Sequence, residues 1–279
     1  MIIVKNIKTL HNHLFTIKKN SKTIGFVPTM GALHKGHISL ILNAKKENNI
    51  TVCSIFVNPT QFNNVNDLEK YPKTLEADTI KLEKADCDFL FLPSVEEMYP
   101  TNEVSLHYNL GVLETILEGK YRPGHFQGVC IIVDKLLAVV MPTTLYLGRK
   151  DYQQCMVIKK MMQDKPYNIN LCICDTIREE DGLAMSSRNM RLDNIERQRA
   201  LRIIESLQMI ASVLKIGSLE LIKKSSIIFL EQNNYKVDYI EIADAETLEI
   251  QTTWDGKRKL VVLVAAYLND VRLIDNIVL

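Results

Sequence analysis

His34 and His37 are separated by only Lys35 and Gly36, and this segment lies between an apolar run and a helical pattern. Two imidazoles at that spacing fall on one face of a first helical turn. The same turn leaves backbone N–H groups unpaired and carries the positive end of the helix dipole, so it attracts anions, phosphate above all. Gly36 lets a phosphate approach the backbone closely. Two donors aimed at one phosphoryl group would stabilise charge growing in a transition state, at about 3 kcal/mol per well-placed donor. The plain alternative is a pair of solvated histidines at a helix cap. A position directly after a strand and before a helix favours the chemical reading.

Other residues fit the same chemistry. Met185-Ser-Ser-Arg188 offers two hydroxyls and a guanidinium in one loop. Hydroxyls donate to phosphate oxygens and arginine binds them bidentately. Lys150, following Gly148-Arg149, is a point charge for phosphate, whereas Asp151 reads equally well as a helix cap. Gln61 and Gln154 are neutral amides suited to hydroxyl and carboxylate groups. His125, in Tyr121-Arg-Pro-Gly-His-Phe-Gln-Gly128, reads by itself as a structural loop histidine. No nucleophile elbow and no G-x-x-x-x-G-K-[ST] loop occurs. Together these residues point to an ATP site without a Walker loop, with donors for the α-phosphate and neutral groups for a small partner.

These side chains need a frame. Ile24 to Val27 reads as a buried strand ended by Pro28, and from Gly36 onward Ile38, Ile41 and Leu42 have helical spacing. Asn6 to Lys19 and Thr74 to Lys84 read as amphipathic helices, and Val129 to Val140 as a mostly buried one. Thr51 to Val57, Phe89 to Leu92, Thr144 to Leu147 and Ile169 to Cys174 read as strands. Strands alternating with helices imply right-handed βαβ units in a parallel sheet with ligands at the carboxyl ends. The loops after the first two strands, with the histidines and with Asn58 and Gln61, should open onto one crevice. Beyond Thr176 the texture changes to helices over Ile195 to Leu214 and Leu219 to Gln232, then strands over Val237 to Ala243, Leu260 to Leu268 and Val271 to Ile274. The expected fold is α/β: a Rossmann-like parallel-sheet domain over 1–176 and a smaller α+β domain over 177–279.

The chain has 279 residues with net charge +1, 47% hydrophobic and 24% charged. That balance gives no reason to expect nucleic-acid or anionic-membrane binding. The six cysteines include no C-x-x-C pair, and most sit in apolar runs, as free thiols do. No apolar signal segment or stretch long enough to span a bilayer is present. A reducing cytoplasm is the expected compartment.

Five segments carry a resemblance: Pro28-Thr-Met-Gly-Ala-Leu-His-Lys-Gly-His37, Phe56-Val-Asn-Pro-Thr-Gln-Phe62, Arg122-Pro-Gly-His-Phe126, Gly148-Arg-Lys-Asp-Tyr-Gln-Gln154 and Asp181-Gly-Leu-Ala-Met-Ser-Ser-Arg-Asn189, with Arg272-Leu-Ile-Asp-Asn276 at the end. In this order they resemble the pantothenate synthetase (pantoate–β-alanine ligase) family, of the His-x-Gly-His nucleotidyltransferase type. The resemblance implies a reaction through pantoyl adenylate, with ATP and Mg²⁺, in a homodimer. It implies His34, His37, Lys150 and Arg188 as catalytic. It implies nucleotide contacts from Met30, Gly31, Ala32, Leu33, Lys35, Gly36, Gly148, Arg149, Asp151, Ile177, Met185, Ser186 and Ser187 as well. It further implies Gln61, Gln154 and Met30 at pantoate, Gln61, Asn58 and His125 at β-alanine, and Asp78 at an acidic position linked to the metal. The chain departs from the family's usual residues at Leu147 (Phe), Lys73 (Arg), Asn63 (Gly) and Ala138 (Asn). Two rivals remain at this stage: an enzyme that stops at nucleotidyl transfer, and a nucleotide-binding module without catalysis. The Gln61, His125 and Gln154 set argues against the first, and intact His34, His37 and Lys150 argue against the second.

Overall fold

A computed structural model describes residues 1–100 and 106–279. Six parallel strands form one sheet: β1 (Ile2–Val4), β2 (Ile24–Thr29), β3 (Ile50–Ile55), β4 (Phe89–Phe91), β5 (Thr144–Gly148) and β6 (Asn170–Cys174), in the order β1-β4-β3-β2-β5-β6. Successive side chains alternate between its faces. Phe26, Val52, Phe91 and Leu145 pack with helices Ile7–Lys19, His125–Val140 and Tyr152–Gln163. Val27, Cys53, Leu90 and Tyr146 pack on the other face with helices Lys35–Glu47 and Leu75–Lys84. Both faces are covered, which is why these strands read as continuous apolar runs.

The strand order has a functional consequence. From β2 the chain winds outward through β3 and β4, then returns to β5 on the other side of β2. This is a topological switch point, where doubly wound sheets place their ligands. β2 pairs with β5 only at Gly25 and Phe26, so the two strands separate toward their carboxyl ends.

That separation corrects the expectation that Pro28 ends the strand. β2 continues to Thr29 and pairs with β3 through Pro28↔Ser54 and Thr29↔Ile55. Pairing with β5 has already stopped, so the N–H that proline lacks costs no ladder bond on that side. Helix His125–Val140 also begins earlier than its apolar run suggests, because Gly124, at φ 79°, turns the chain directly into it.

The chain divides into two compact units, residues 1–149 with 154–175, and residues 150–153 with 176–279. In the second, β7 (Gly217–Ser218) pairs with β9 (Thr253–Trp254), and β8 (Tyr235–Asp244), β10 (Leu260–Leu268) and β11 (Val271–Val278) form an antiparallel sheet in the order β11-β10-β8. Helices Leu201–Val213 and Glu220–Gln232 bury Ile203, Leu207, Ile210 and Leu230 with Ile240, Ile242, Val262 and Val264. The single helix expected from Ile195 is two, Asn194–Arg199 and Leu201–Val213, joined at Ala200. Strand β11 runs past Ile274 to Val278. This is the α/β architecture with a smaller α+β part expected from sequence. No helix among the described residues is long and apolar enough to cross a membrane.

Candidate active site

In the first unit, helix Lys35–Glu47 has His34 at its N-cap and His37 in its first turn. His34 Nδ1 accepts the Gly36 amide at 3.2 Å and His37 Nδ1 accepts the His34 amide at 3.3 Å. Two imidazoles thus form a reciprocal capping box, the arrangement more often built from Ser or Thr with Glu. The ring centroids lie 4.0 Å apart. An Nδ1 that accepts an amide has no proton to donate, so on both rings Nε2 carries the N–H. The cap therefore fixes which nitrogen can donate to an incoming anion.

The loop before this helix is held by Asp78. This buried carboxylate accepts the Ala32 and Leu33 amides at 2.8 Å each, and the Thr74 hydroxyl at 3.1 Å. Lys81 Nζ donates to the Leu33 carbonyl at 2.6 Å and lies 3.8 Å from the same carboxylate. Ala32 stands at φ 49° and Gly31 at φ 82°, left-handed positions that need such support in a side-chain-bearing residue like Ala32. Asp78, the acidic position that the resemblance links to the metal, supports the turn just before His34. Its oxygens are engaged with the Gly31–Leu33 turn.

The loops after β2 and β3 meet. Gln61 Nε2 donates to Met30 Sδ at 2.9 Å. Asn58 Nδ2 donates to Gln61 Oε1 at 3.2 Å and to the Gly128 carbonyl at 3.1 Å, and Asn58 Oδ1 accepts from Tyr99 at 2.7 Å and Thr60 at 3.1 Å. The Gln61 carbonyl accepts from His125 Nδ1 at 2.8 Å and from Arg122 at 3.4 Å. Asn58 and His125 are buried. These bonds hold both side chains against the loop that carries Gln61. Both shape the turn that presents Gln61, which is itself only part-buried. Gly128 is essential to this packing, since a Cβ there would stand 2.4 Å from the Thr60 carbonyl oxygen. Sequence reasoning misses Tyr99 and Gly128, because neither belongs to a local pattern of chemistry-bearing residues.

At the end of β5, Gly148 and Arg149 lie in the first unit, and Arg149 pairs with Asp175. Gln154 also belongs to this unit, in helix Tyr152–Gln163, while Lys35 is exposed on the first turn of its helix.

Lys150 and Asp151 group with the second unit, where the Lys150 ammonium lies 3.8 Å from the Asp151 carboxylate. The Lys150 carbonyl accepts from Asn276 Nδ2 at 2.8 Å, and Tyr152 donates to the Ala245 carbonyl at 2.6 Å. In the same unit Met185 N donates to the Ile177 carbonyl at 3.0 Å, closing a hairpin that leads into Ser186, Ser187 and Arg188. Ser186 Oγ caps the short Ser187–Arg191 helix by accepting the Arg188 amide at 3.2 Å. Met185 and Ser187 are buried.

The family model for pantoate–β-alanine ligase matches residues 2–278. The chain belongs to the pantoate–β-alanine ligase family. The pantothenate synthetase of Cytophaga hutchinsonii is 45% identical over 100% of this chain and 99% of its own. That of Thermotoga petrophila is 45% identical with 100% of both chains covered. Among solved ligases of this family, pantothenate synthetase from Thermus thermophilus superposes with a TM-score of 0.91 at 37% identity, covering 99% of each chain. The Francisella tularensis ligase, solved in complex with β,γ-ATP and β-alanine, gives a TM-score of 0.83 at 41% identity over 99% of this chain and 97% of that one. Of the segments that carry the resemblance, those of the first unit include the loops after β2 and β3, and those of the second include the hairpin 177–185 with the turn that follows it.

Proposed function

We propose that the chain condenses (R)-pantoate with β-alanine in an ATP-dependent reaction that yields pantothenate, AMP and pyrophosphate. Family membership along nearly the whole chain supports the ligation, and the Francisella relative's complex with ATP and β-alanine supports the substrates. The observation that carries the chemistry is the His34–His37 box at the mouth of helix Lys35–Glu47. The pantoate carboxylate attacks the α-phosphorus of ATP and pyrophosphate leaves, giving an acyl adenylate. The β-alanine amine then attacks the acyl carbon and AMP leaves. In the first step the repulsion between carboxylate and triphosphate must be offset by fixed donors and cations. The two Nε2–H groups and the helix N-terminus supply the donors. Lys150 and Arg188, with the Ser186 and Ser187 hydroxyls, supply the rest at the phosphates. Gln61, with Gln154, orients pantoate.

Mg²⁺ enters as part of the MgATP substrate in this reading. Among the described residues no group of three His, Cys, Asp or Glu side chains could hold a metal, and Asp78 is the acidic position that the resemblance links to it. A magnesium ion held mainly by phosphate oxygens and waters needs no such cage. The first unit is read as the nucleotide- and pantoate-binding part, and the second carries Lys150 and Arg188. All six cysteines are free, in keeping with a reducing cytoplasm. The family resemblance adds a homodimer, which light scattering would test.

Product analysis tests the reading. In multiple turnover, AMP forms from ATP only when pantoate and β-alanine are both present. ADP as product, or ATP turned over equally well without β-alanine, would overturn it.

A further inference from the structure

We propose that Asp275 and Asn276 of β11 are a positioning pair that holds the two phosphate-directed segments of the second unit, Lys150 and the Ser186–Arg188 turn, in fixed register with one another. The proposal rests on the ligase reading of those segments. Both residues are buried, at 3% and 4% exposure, in a strand whose neighbouring positions are largely apolar. A buried Asp-Asn dipeptide is costly unless its polar atoms are used, and here their use is divided between the two segments.

Asp275 receives the Arg178 guanidinium in a fork, Nη1 to Oδ2 at 2.7 Å and Nη2 to Oδ1 at 3.0 Å. Arg178 also donates to the Gly182 carbonyl at 3.0 Å and the Asn276 carbonyl at 3.3 Å. Its backbone bridges to Ala184, directly before Met185. The fork therefore locks the base of the hairpin that leads into Ser186, Ser187 and Arg188. Asn276 turns its side-chain amide the other way and donates from Nδ2 to the Lys150 carbonyl at 2.8 Å. Asp275 Oδ1 accepts the Asn276 amide at 2.7 Å, so the two anchors are themselves tied. The Asp275 carboxylate is matched by Arg178 and so adds no uncompensated negative charge beside the Lys150 segment. Neither Asp275 nor Asn276 needs to touch a substrate. They fix the backbone from which the cations reach, and misplacing a cation by an ångström costs up to about a hundredfold in rate.

The test is ATP affinity by calorimetry in four proteins: wild type, Asn276→Ala, Lys150→Ala and the double variant, each checked for native circular dichroism. If Asn276 acts through Lys150, its loss weakens ATP binding about tenfold in the wild-type background and has little further effect without the lysine ammonium. In steady state Asn276→Ala then raises KM for ATP and leaves KM for β-alanine unchanged. Asn276→Asp, which keeps the shape but turns an acceptor toward the Lys150 carbonyl, behaves like the alanine variant. Equal weakening in both backgrounds, or none in either, would overturn the proposal alone. Wild-type protein that fails to bind ATP would overturn the ligase reading and the proposal with it.

Discussion

His37 Nδ1 accepts the backbone amide of His34 at 3.3 Å, while His34 Nδ1 accepts the amide of Gly36 at 3.2 Å. One pair of rings thus caps a helix and, by the same bonds, fixes its Nε2–H groups as donors. Stability and chemistry can be separated here, because Asn is among the best helix caps but has no imidazole. In His34→Asn the melting temperature should stay near that of wild type, whereas turnover should fall by about a hundredfold to a thousandfold, the cost of one transition-state donor. Turnover within tenfold of wild type would remove His34 from the reaction. His34→Ala should lose the same activity and, in addition, about 1 kcal/mol of stability.

Asp78 gives a second separation. If it clamps the Gly31–Leu33 turn, Asp78→Ala removes the carboxylate that accepts the Ala32 and Leu33 amides and weakens the hold on the left-handed Ala32. Hydrogen bonds to a charged group are worth about 1.5–3 kcal/mol, so urea denaturation should show a loss of that order. Turnover should fall because His34 directly follows the turn. The Mg²⁺ concentration giving half-maximal rate should not move. A shift of that midpoint with stability unchanged would assign Asp78 to the metal instead.

Gly128 tests the Gln61 support. A Cβ at this position would meet the Thr60 carbonyl oxygen at 2.4 Å and the Gln61 nitrogen at 2.9 Å, both backbone atoms that cannot rotate away. Gly128→Ala should therefore push the turn that presents Gln61. Overpacking of this kind costs about 1–3 kcal/mol, and KM for pantoate should rise more than KM for ATP. An unchanged pantoate KM would show that the turn's position does not matter to that substrate.

Such supports explain what the sequence could and could not disclose. The strand, the small-residue turn and the His-x-Gly-His cap are legible because they are local: period, proline, glycine and helix polarity all lie within one stretch. The parallel sheet and its carboxyl-end loops follow from the alternation of elements. Asp78 on the amides of Ala32 and Leu33, and Asn276 on the carbonyl of Lys150, join residues far apart in the chain, and no periodicity reports such a bond. Pro28 does not end its strand, because the cost of a proline depends on whether a neighbouring strand has already diverged, which no local pattern reveals. His125 reads in the sequence as a structural loop histidine, but the bonds that Asn58 makes to Gly128 and Tyr99 across the chain are visible only in the fold.

The interior of the first unit should carry a pH signature of its own. Asp134, in the apolar helix His125–Val140, accepts from Tyr108 at 2.6 Å, from Lys165 at 2.9 Å and from the Tyr167 hydroxyl. Burial pushes its carboxyl up, but the hydrogen bonds from Tyr108, Tyr167 and Lys165 outweigh that and hold it below its ordinary value of 3.8. Both tyrosines are pushed up, first by burial and then by the carboxylate they face. A carboxyl with a lower pKa in the folded state stabilises the fold above its unfolded pKa, and the contribution is lost as pH falls through the folded value. Removing one donor with Tyr108→Phe should cost about 2 kcal/mol at neutral pH. The gap between variant and wild type in urea unfolding should hold down to about pH 5 and narrow below about pH 4, as the carboxylate protonates in both. A gap that stayed constant across that range would mean that the tyrosine stabilises by packing alone, and that the charge on Asp134 contributes nothing to holding it.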